Sequence, residues 1–496
     1  MTFIRRWWPV GAVLTVPLGV LFFLRAASAL DVSWFSAPGH VVIMVLVAGL
    51  ALGVAGIAIH SSLRTGQPGV VWLSVGCAEV GLLLLGHGLT TPGAIGQPPN
   101  QWVGRLPYAA MATIALCLFV AGRSPGGTVN RWVGRHPVVT LAAVTLPTAL
   151  LVTVVAIDPT GLRGDAPLRH EAVTLRGLSV AVVCLLLAVI WTHWRRWQLG
   201  KDTVQLSIVL SAGSCIAAVT SFELGRFSHM SWWNYHGYLL AGFGGTIYAI
   251  VRRGRQRQTI SEVLDTTFVE DPFQHIIEGY PEALRTLVRA VEVKDAYTHG
   301  HSERTAQVAV ELGVRMGLSP DRLRVIARGA YLHDLGKIGI PDHILNKPGR
   351  LDPDERQVME QHPQLGFELA SSAPSLREAL PVILHHHERV DGGGYPSGLA
   401  GNDVPLEARV VAVADVWDAL TSDRAYRVGW EPARALAHIA AGSGSHFDPR
   451  IVDAFVALAA EWGVALPDEP GVAEEAWLAA QTCHDIDPDR VGMLVG

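Results

Sequence analysis

Apolar residues dominate the first half of the chain, in long stretches separated by short polar segments. Eight stretches are long enough to cross the roughly 30 Å of bilayer hydrocarbon: residues 8–29, 38–59, 70–87, 105–122, 137–157, 177–193, 204–224 and 237–251. The first is closely followed by others and has no convincing cleavage site, so we do not interpret it as a cleaved signal peptide. The pattern predicts a polytopic transmembrane helix bundle of about eight spans over residues 1–251, with seven as the nearest alternative.

Polar residues return after residue 251, and apolar positions then recur with helical spacing. Residues 252–283 form a polar connection interrupted by proline and glycine, and residues 284–465 have the pattern of a folded helical domain. Residues 466–496 are rich in proline and acidic residues. We therefore predict an all-α chain with a membrane bundle, a linker or signalling helix, a globular helical domain and a disordered tail.

A short amphipathic helix is predicted where the globular domain begins. Leu284, Leu287, Val288 and Val291 recur at helical spacing and form one apolar face. This face packs either within the domain or against a second protomer, and the sequence leaves both open. A homodimer is expected only by analogy with other membrane-linked signalling enzymes.

Composition supports this division and narrows the class of protein. The chain has 496 residues, of which 50% are hydrophobic and only 17% are charged, so both a purely soluble enzyme and a single domain are disfavoured. Acidic residues are scarce before residue 250 and common after it. The formal net charge of −5 gives no reason to expect a nucleic-acid polymer as partner.

The positions of the basic residues predict the orientation of the spans. They precede the first span and follow the even-numbered spans, whereas the arginines of the opposite loops are partly balanced by acidic residues. These basic residues are Arg5, Arg6, Arg64, Arg123, Arg131, Arg135, Arg195, Arg196, Lys201, Arg252, Arg253, Arg255 and Arg257. The bias predicts a multi-pass protein of the inner, cytoplasmic membrane, with both termini and the globular domain in the cytoplasm.

Histidine and aspartate residues recur at ordered intervals through the globular domain. They are His301, the adjacent pair His333 and Asp334, His362, the triplet His385, His386 and His387, and Asp415. A single histidine on a helix is usually a packed or surface residue. A whole set in apolar segments needs compensation for its buried charges, and a divalent metal supplies it. The set predicts a buried metal centre that performs hydrolysis.

The segments around these residues resemble the HD-GYP subgroup of the HD-domain metal-dependent phosphohydrolases. The resemblance covers residues 284–460 without evident gaps and includes HSER, HDLGK, HP, HHE, DGGGYP and ADVWDALTSDRAYR. It implies an all-helical domain that hydrolyses the bacterial second messenger cyclic di-GMP at a site of two or three metal ions. The chain would then be a metal-dependent cyclic di-GMP phosphodiesterase.

The resemblance also implies a ligand set, in which Asp334 bridges two metal ions. His301, His333 and Asp415 complete the shell of one ion, while His362, His386 and His387 hold the other. His385 is excluded as a non-ligand. Some family members have a glutamate four residues before the first histidine, and it binds a third metal; here Tyr297 has that position, so two divalent ions are expected. Nitrogen and oxygen ligands without thiolate favour iron or manganese, with zinc, nickel or cobalt as alternatives.

Three cationic residues of the matching motifs are candidates for substrate contacts. Lys337 follows Asp334 by about one helical turn and offers a compact cation to a phosphate oxygen, in binding and in catalysis. The alternative is a solvated lysine beyond a helix end. Arg424 and Arg427 are three residues apart, and the family places them on the substrate, where arginine suits phosphate or guanine.

A glycine-rich loop contains the remaining predicted substrate contacts, Gly394, Tyr395 and Pro396. Its glycines allow the backbone to approach a ligand closely, and Tyr395 could then stack or form a hydrogen bond at the substrate. The alternative for Gly394 and Pro396 is a rigid turn beside the site.

Several ionisable residues of the first half are predicted near the outer ends of spans. They are His40, His87, His229 and His236, beside Trp232, Trp233 and Tyr235. Glu79 lies eight residues before His87, roughly on the same helix face. Ionisable groups at membrane depth are functional candidates, so Glu79, His87, His229 and His236 predict a sensor for an unidentified ligand, metal or haem. The alternative is an interfacial aromatic belt with histidines that face water.

Three functions are compatible with these patterns. The favoured one is a membrane-anchored phosphodiesterase, regulated by its membrane half, that opens cyclic di-GMP to pGpG and then continues to GMP or stops. The second is a catalytically weak signalling or binding protein, against which the complete ligand set argues. The third is a hydrolase of another cyclic dinucleotide or of nucleoside phosphates, which keeps the metals and changes the base contacts.

Overall fold

The computed structural model describes residues 2–34, 36–94, 101–123, 127–158, 168–255, 282–295, 300–423 and 428–466, with six residues of the connecting segment (263, 264, 267, 268, 273 and 276). The described part contains α-helices, short 3₁₀ helices and isolated β-bridges but no strand, which confirms the all-α fold class. It divides into two compact units, Met1–Glu270 and Asp271–Gly496. The predicted tail lies almost wholly outside the described residues.

Long helices form the first unit. They are α1 (Thr2–Ala26), α2 (Ala37–Thr65), α3 (Pro68–Leu89), α4 (Trp102–Ala121), α5 (Thr128–Arg135), α6 (Pro137–Ile157), α7 (Leu168–Gly200), α8 (Thr203–Leu224) and α9 (Met230–Gly254). Each predicted span falls mostly or wholly in one of them, while α5 is a short helix in a loop. Within the described residues, six helices are long and apolar enough to cross a membrane, namely α2, α3, α4, α6, α7 and α8.

Two further long helices are α1, whose segment Val10–Ala26 is apolar, and α9, which combines an aromatic and polar first half with Arg252 and Arg253 in its last turn. The six apolar helices are consistent with a multi-pass membrane protein, and the count of eight spans stays a prediction.

Helix α3 lies at the centre of the first unit, where it packs against α2, α4 and α6. Glycine makes this close packing feasible. A Cβ atom at Gly81 would lie 2.6 Å from the Leu52 side chain of α2, which is too close for two carbon atoms. Small residues at such contacts let membrane helices approach each other.

Shorter helices form the second unit. They are α10 (Glu282–Lys294), α11 (His301–Arg315), α12 (Pro320–Leu332), α13 (Asp342–Leu345), α14 (Pro353–Met359), α15 (His362–Ser371), α16 (Leu380–His385), α17 (Leu406–Thr421), α18 (Pro432–Ala441) and α19 (Pro449–Glu461). Three 3₁₀ helices of the described residues connect them, at Leu335–Gly339, Pro374–Leu376 and Gly401–Asp403. Helix α17 is almost wholly buried, and α11, α12, α16, α18 and α19 pack around it.

The ends of several helices meet beside α17, and this arrangement brings their terminal residues together. His301 and His362 are the first residues of α11 and α15, while His333 and His386 directly follow α12 and α16. Gly336 allows the approach of α15, because a Cβ atom there would overlap the carbonyl oxygen of His362. The glycine of HDLGK is therefore required by close backbone packing.

Candidate active site

A first group of potential metal ligands lies buried in the second unit and consists of His301, His333 and Asp415. The Nε2 atoms of His301 and His333 are 3.3 Å apart. Asp415 Oδ1 lies 3.1 Å from the first of these atoms and 3.6 Å from the second. The three ligand atoms are within 4.8 Å of one another, so they are close enough to bind one ion.

A second group consists of His362, His386 and His387. The Nε2 atoms of His362 and His386 are 3.3 Å apart, and the ring centroids of His386 and His387 are 4.2 Å apart. Here too the ligand atoms lie within 4.8 Å of one another. The structure therefore brings together the two histidine groups that the resemblance implies.

Asp334 lies between the two groups and reaches both. Its Oδ2 atom is 3.3 Å from His333 Nε2 and 3.9 Å from His301 Nε2, whereas Oδ1 is 3.6 Å from His362 Nε2. Asp334 also forms a compact cluster with His333 and His386. One carboxylate oxygen thus faces each group, which is the position a bridging ligand needs.

Backbone carbonyl groups fix the tautomers of three of these imidazoles. The Nδ1 atoms of His333, His362 and His386 lie 2.6, 2.9 and 2.9 Å from the carbonyl oxygen three residues earlier. A carbonyl oxygen only accepts, so each Nδ1 carries the proton and each Nε2 presents a lone pair. The lone pairs of His362 and His386 consequently face each other, and a cation would stabilise this pair. The donor set fits divalent metal ions.

The two groups differ in their electrostatics. Burial lowers the pKa of His301, but its hydrogen bonds to Asp415 and Asp418 outweigh burial and raise it to about 10. Burial and a neighbouring imidazole lower the pKa of His362 to about 3. Burial opposes ionisation of Asp334, yet the surrounding imidazoles and a lysine hold its pKa well below the usual range. At neutral pH His301 therefore holds a second ring proton, whereas His362 does not.

Asp418 orients the first ligand of the first group. Its Oδ2 atom accepts a hydrogen bond from His301 Nδ1 at 2.7 Å, and Arg304 donates to both carboxylate oxygens at 2.6 and 3.0 Å. A carboxylate on the far nitrogen of a metal-binding imidazole fixes its ring and raises its basicity. Sequence reasoning did not identify Asp418, although its spacing of three residues from Asp415 on α17 places both on one face.

Lys337 is buried and paired with two carboxylates. Its Nζ atom lies 2.9 Å from Asp334 Oδ2 and 3.3 Å from Asp295 Oδ2, and its side chain is 2% exposed. The alternative of a solvated lysine is therefore wrong, because the 3₁₀ helix that follows Asp334 turns this side chain into the site. Asp295, which sequence reasoning did not single out, supplies the second negative charge.

The end of α10 holds the start of α11 and the 3₁₀ helix around Lys337. Glu292 accepts hydrogen bonds from the backbone nitrogens of Gly300 and Ser302 at 3.1 and 3.2 Å, on either side of ligand His301. Lys294 donates to the carbonyl oxygens of residues 338 and 340 at 2.7 and 2.6 Å. The helix that follows the connecting segment therefore positions residues on both sides of the potential metal ligands.

Glu388 holds the glycine-rich loop through backbone hydrogen bonds. Its carboxylate accepts hydrogen bonds from the backbone nitrogens of Ser397 and Leu399 at 2.7 and 3.0 Å. His385 Nδ1 lies 3.5 Å from the same carboxylate, outside the two ligand groups to which its neighbours contribute. The Tyr395 ring stacks on His387, with centroids 4.8 Å apart. A Cβ atom at Gly394 would lie 2.5 Å from a backbone atom of Glu388, so the loop needs glycine there.

Tyr297, Arg424 and Arg427 fall outside the described residues, as does the loop cation Arg257.

The predicted sensor residues lie apart from one another in the first unit, except for two. His87 and His236 belong to one buried cluster, whereas Glu79 accepts a hydrogen bond from Thr148 at 2.8 Å and His229 is partly buried at the start of α9.

The sequence pattern of the HD domain family matches residues 285–451, which include all the ligands described above. The second unit contains an HD domain. This confirms the resemblance on which the ligand assignment rests.

Curated relatives share this HD domain. The cyclic di-GMP phosphodiesterase response regulator RpfG of Xanthomonas campestris pv. campestris is 48% identical over 177 residues, which are 35% of this chain and 47% of the relative. The cyclic di-GMP phosphodiesterase PA4108 of Pseudomonas aeruginosa is 38% identical over 211 residues, 42% of this chain and 50% of the relative.

A third relative has a different stated specificity. It is the 3'3'-cGAMP-specific phosphodiesterase 2 of Vibrio cholerae, 36% identical over 200 residues, 38% of this chain and 38% of the relative. The chain spans about half the length of the first curated relatives it matches.

Proposed function

We propose that the HD domain is a metal-dependent phosphodiesterase that hydrolyses cyclic di-GMP to pGpG. The observation that carries the proposal is the position of Asp334, with one oxygen toward each of two buried ligand groups. Relatives named cyclic di-GMP phosphodiesterases share this domain, which supports the same substrate class. Further hydrolysis of pGpG to GMP is a second step at the same site.

The two ligand groups would hold two divalent metal ions, with iron or manganese expected from mixed nitrogen and oxygen donors. His301, His333 and Asp415 would bind one ion, while His362, His386 and His387 would bind the other. Such ions activate water at neutral pH and neutralise the charge of a phosphodiester. Asp334, ionised at neutral pH because its pKa is strongly lowered, would bridge them.

The chain's own residues orient the site and the substrate. Lys337 holds one oxygen of Asp334, so its cation lies beside the position that a phosphate oxygen would take. Tyr395 stacks on His387 at the edge of the second group, where its ring can contact a base or a sugar. Arg424 and Arg427 are proposed to bind phosphate or guanine, on the resemblance alone.

A second substrate is favoured by one of the comparisons. The Vibrio cholerae relative is named a 3'3'-cGAMP-specific phosphodiesterase, so replacement of one guanine by adenine is compatible with an HD domain of this kind. The two substrates share the cyclic phosphodiester ring that the metal ions would engage, and they differ only in base contacts.

The membrane half is proposed to anchor the enzyme and to regulate it. Six apolar helices support insertion into the cytoplasmic membrane as a multi-pass protein. The loop cations favour cytoplasmic termini and a cytoplasmic HD domain, where a soluble nucleotide second messenger is accessible. We also propose that the chain forms a homodimer and that its membrane half binds an unidentified sensory ligand.

The experiment is a substrate panel with the full chain in detergent micelles, loaded with Mn²⁺ or Fe²⁺. Cyclic di-GMP, 3'3'-cGAMP and cyclic di-AMP are incubated separately, and the products are separated by chromatography. Hydrolysis of cyclic di-GMP at the highest kcat/KM, with pGpG as the first product, supports the proposal. Faster hydrolysis of 3'3'-cGAMP favours the second substrate, and no hydrolysis of any of them contradicts both.

A further inference from the structure

A buried cluster of imidazole and phenol side chains lies at one end of the first unit. It joins His40 near the start of α2, His87 near the end of α3, and Tyr235 and His236 near the start of α9. The ring centroid of His40 lies 4.7 Å from that of His87 and 4.9 Å from that of His236. All three histidines are at most 2% exposed, so bulk water does not reach their nitrogen atoms.

The hydrogen bonds of this cluster fix the tautomers of two of the rings. His236 Nδ1 lies 3.1 Å from the carbonyl oxygen of Trp233, so Nδ1 carries the proton and Nε2 presents a lone pair. Thr91 donates its hydroxyl proton to the His87 carbonyl oxygen at 3.1 Å. It therefore accepts from His40 Nδ1 at 2.7 Å, and His40 Nε2 presents a lone pair as well.

Proton donors in the cluster are too few for the lone pairs. The Tyr235 hydroxyl lies 3.3 Å from His40 Nε2 and 2.9 Å from His87 Nε2, and it has one proton to donate. If it donates to His87, the lone pair of His40 has no donor. If it donates to His40, the Nε2 lone pair of His87 has no donor, because a hydrogen bond with the Val103 backbone favours a proton on His87 Nδ1.

His236 has a further lone pair without a donor, whichever of the other two rings receives the Tyr235 proton. Its Nε2 atom is buried and has no hydrogen-bond partner among the described residues. Two of the three imidazoles therefore keep a lone pair without a donor, whichever way the phenol proton points. Leaving buried polar atoms unpaired costs on the order of 1–3 kcal/mol each, and evolution retains such atoms mainly where something else satisfies them.

The geometry points to a metal-binding site in the membrane half, formed by His40, His87 and His236, for a first-row divalent cation such as Zn²⁺. Neutral imidazoles without a carboxylate suit borderline transition metals and not Mg²⁺ or Ca²⁺. The tautomer of His236 is set by the backbone carbonyl three residues earlier. The same hydrogen bond sets the tautomers of His333, His362 and His386 in the HD domain. The phenol of Tyr235 supplies an oxygen ligand or a partner to the bound ion.

Binding at this site requires the three rings to converge. Among the described residues, groups with three ligand atoms within 4.8 Å of one another occur only in the HD domain. A cation that draws the three Nε2 atoms together binds a contracted arrangement of α2, α3 and α9 more tightly than the present one. Differential affinity of this kind is what lets a ligand shift a conformational equilibrium. Because α9 is the helix before the connecting segment, the metal is proposed as the signal that the membrane half senses.

The test counts Zn²⁺ ions bound by the full chain in detergent micelles, by equilibrium dialysis at increasing Zn²⁺. Wild type is expected to bind three ions, two in the HD domain and one in the membrane half. His40→Gln, His87→Gln and His236→Gln should each bind two, with the affinity for the third ion lowered at least about 100-fold, since outer-shell losses alone cost 10–100-fold. His60→Gln is the matched control, because His60 is exposed on the same helix as His40, and it should bind three.

A wild type that binds the same number of ions as all three glutamine variants contradicts the site, whatever the number held by the HD domain. A third ion that persists in all three glutamine variants also contradicts it. The two ions of the HD domain serve as an internal control for folding, since they remain in correctly folded variants. The count does not depend on hydrolysis: Asp334→Ala should remove ions of the HD domain and retain the membrane-half ion. The two proposals can therefore fail separately.

Discussion

The side-chain nitrogen of Lys337 lies 2.9 Å from Asp334 Oδ2, inside the HD domain, and both side chains are almost fully buried. Asp334 Oδ2, the oxygen that faces the first ligand group, is thus paired with Lys337 of the same HDLGK motif. Asp295 lies 3.3 Å from that cation on its other side. The lysine of HDLGK consequently belongs to a buried charge network, in addition to any contact with substrate.

Replacement of this lysine should destabilise the domain as well as reduce turnover. Lys337→Ala leaves Asp334 and Asp295 as buried carboxylates without their shared cation, so the free energy of unfolding should fall by about 3–5 kcal/mol. The measurement is denaturant unfolding of the metal-free protein, followed by a probe of the HD domain. Lys347→Ala is the control, because its ion pair with Glu355 is partly exposed and should contribute at most about 1 kcal/mol. Equal stability of the two variants would contradict the network.

Asp418→Asn should weaken metal binding in the first group without removing a ligand. The asparagine keeps the size of Asp418 but loses the charge that fixes the His301 ring. Loss of such an outer partner reduces metal affinity about 10–100-fold. Titration of the metal-free protein with Mn²⁺ measures the change, and Asp423→Asn, at an exposed carboxylate close in sequence, is the control. An unchanged dissociation constant would show that Asp418 serves only to bind Arg304.

Metal loading should release protons at pH 7, and the release should come from the first group. The pKa of His301 is raised to about 10, so His301 is protonated at pH 7 and a metal ion must displace that proton. The pKa of His362 is lowered to about 3, so His362 can bind a metal ion without releasing a proton. Affinity for the first ion should therefore rise with pH up to about 10. Calorimetry in buffers of different ionisation enthalpy measures the released protons, and a value of zero would be inconsistent with this difference.

Glu388→Gln should loosen the loop that contains Tyr395. The carboxylate accepts from two backbone nitrogens, and the amide has only one oxygen to offer them. Loss of one such hydrogen bond weakens the loop by about 1.5 kcal/mol, which should raise KM for the cyclic dinucleotide about tenfold with a smaller change in kcat. Glu378→Gln, outside the site, is the comparison. A loss in kcat alone would place Glu388 in the chemistry of the reaction instead.

The sequence predicted the all-α fold and the His and Asp residues that cluster in the second unit, while their role as metal ligands stays a prediction. Continuous apolar stretches and ordered His and Asp positions are local signals, and each persists in the structure as a helix or as a helix-terminal side chain. The ligands could be assigned to two groups only through the resemblance, because spacing alone does not show which helix ends meet. Asp334 lies between those groups as expected.

Contacts with residues from distant segments of the chain could not be predicted from the sequence alone. Asp295 reaches Lys337 across more than forty residues of chain, and Glu292 holds the backbone beside His301 from another helix. In the first unit, His87 contacts His40 and Tyr235 and not Glu79, because the side chain of Glu79 faces Thr148 of α6. Helical spacing alone placed Glu79 and His87 on one face without indicating which neighbour each would contact.

The most direct test of the account compares Asp334→Ala with Asp453→Ala in the full chain, by metal content and by hydrolysis of cyclic di-GMP. Asp453 is an exposed carboxylate on α19, so its loss should leave both quantities unchanged. Asp334→Ala should abolish hydrolysis and remove metal from the HD domain while the helical content is preserved, because one carboxylate contributes to both ligand groups. Full hydrolysis by Asp334→Ala, or an unchanged metal content, would contradict the bridged two-metal site.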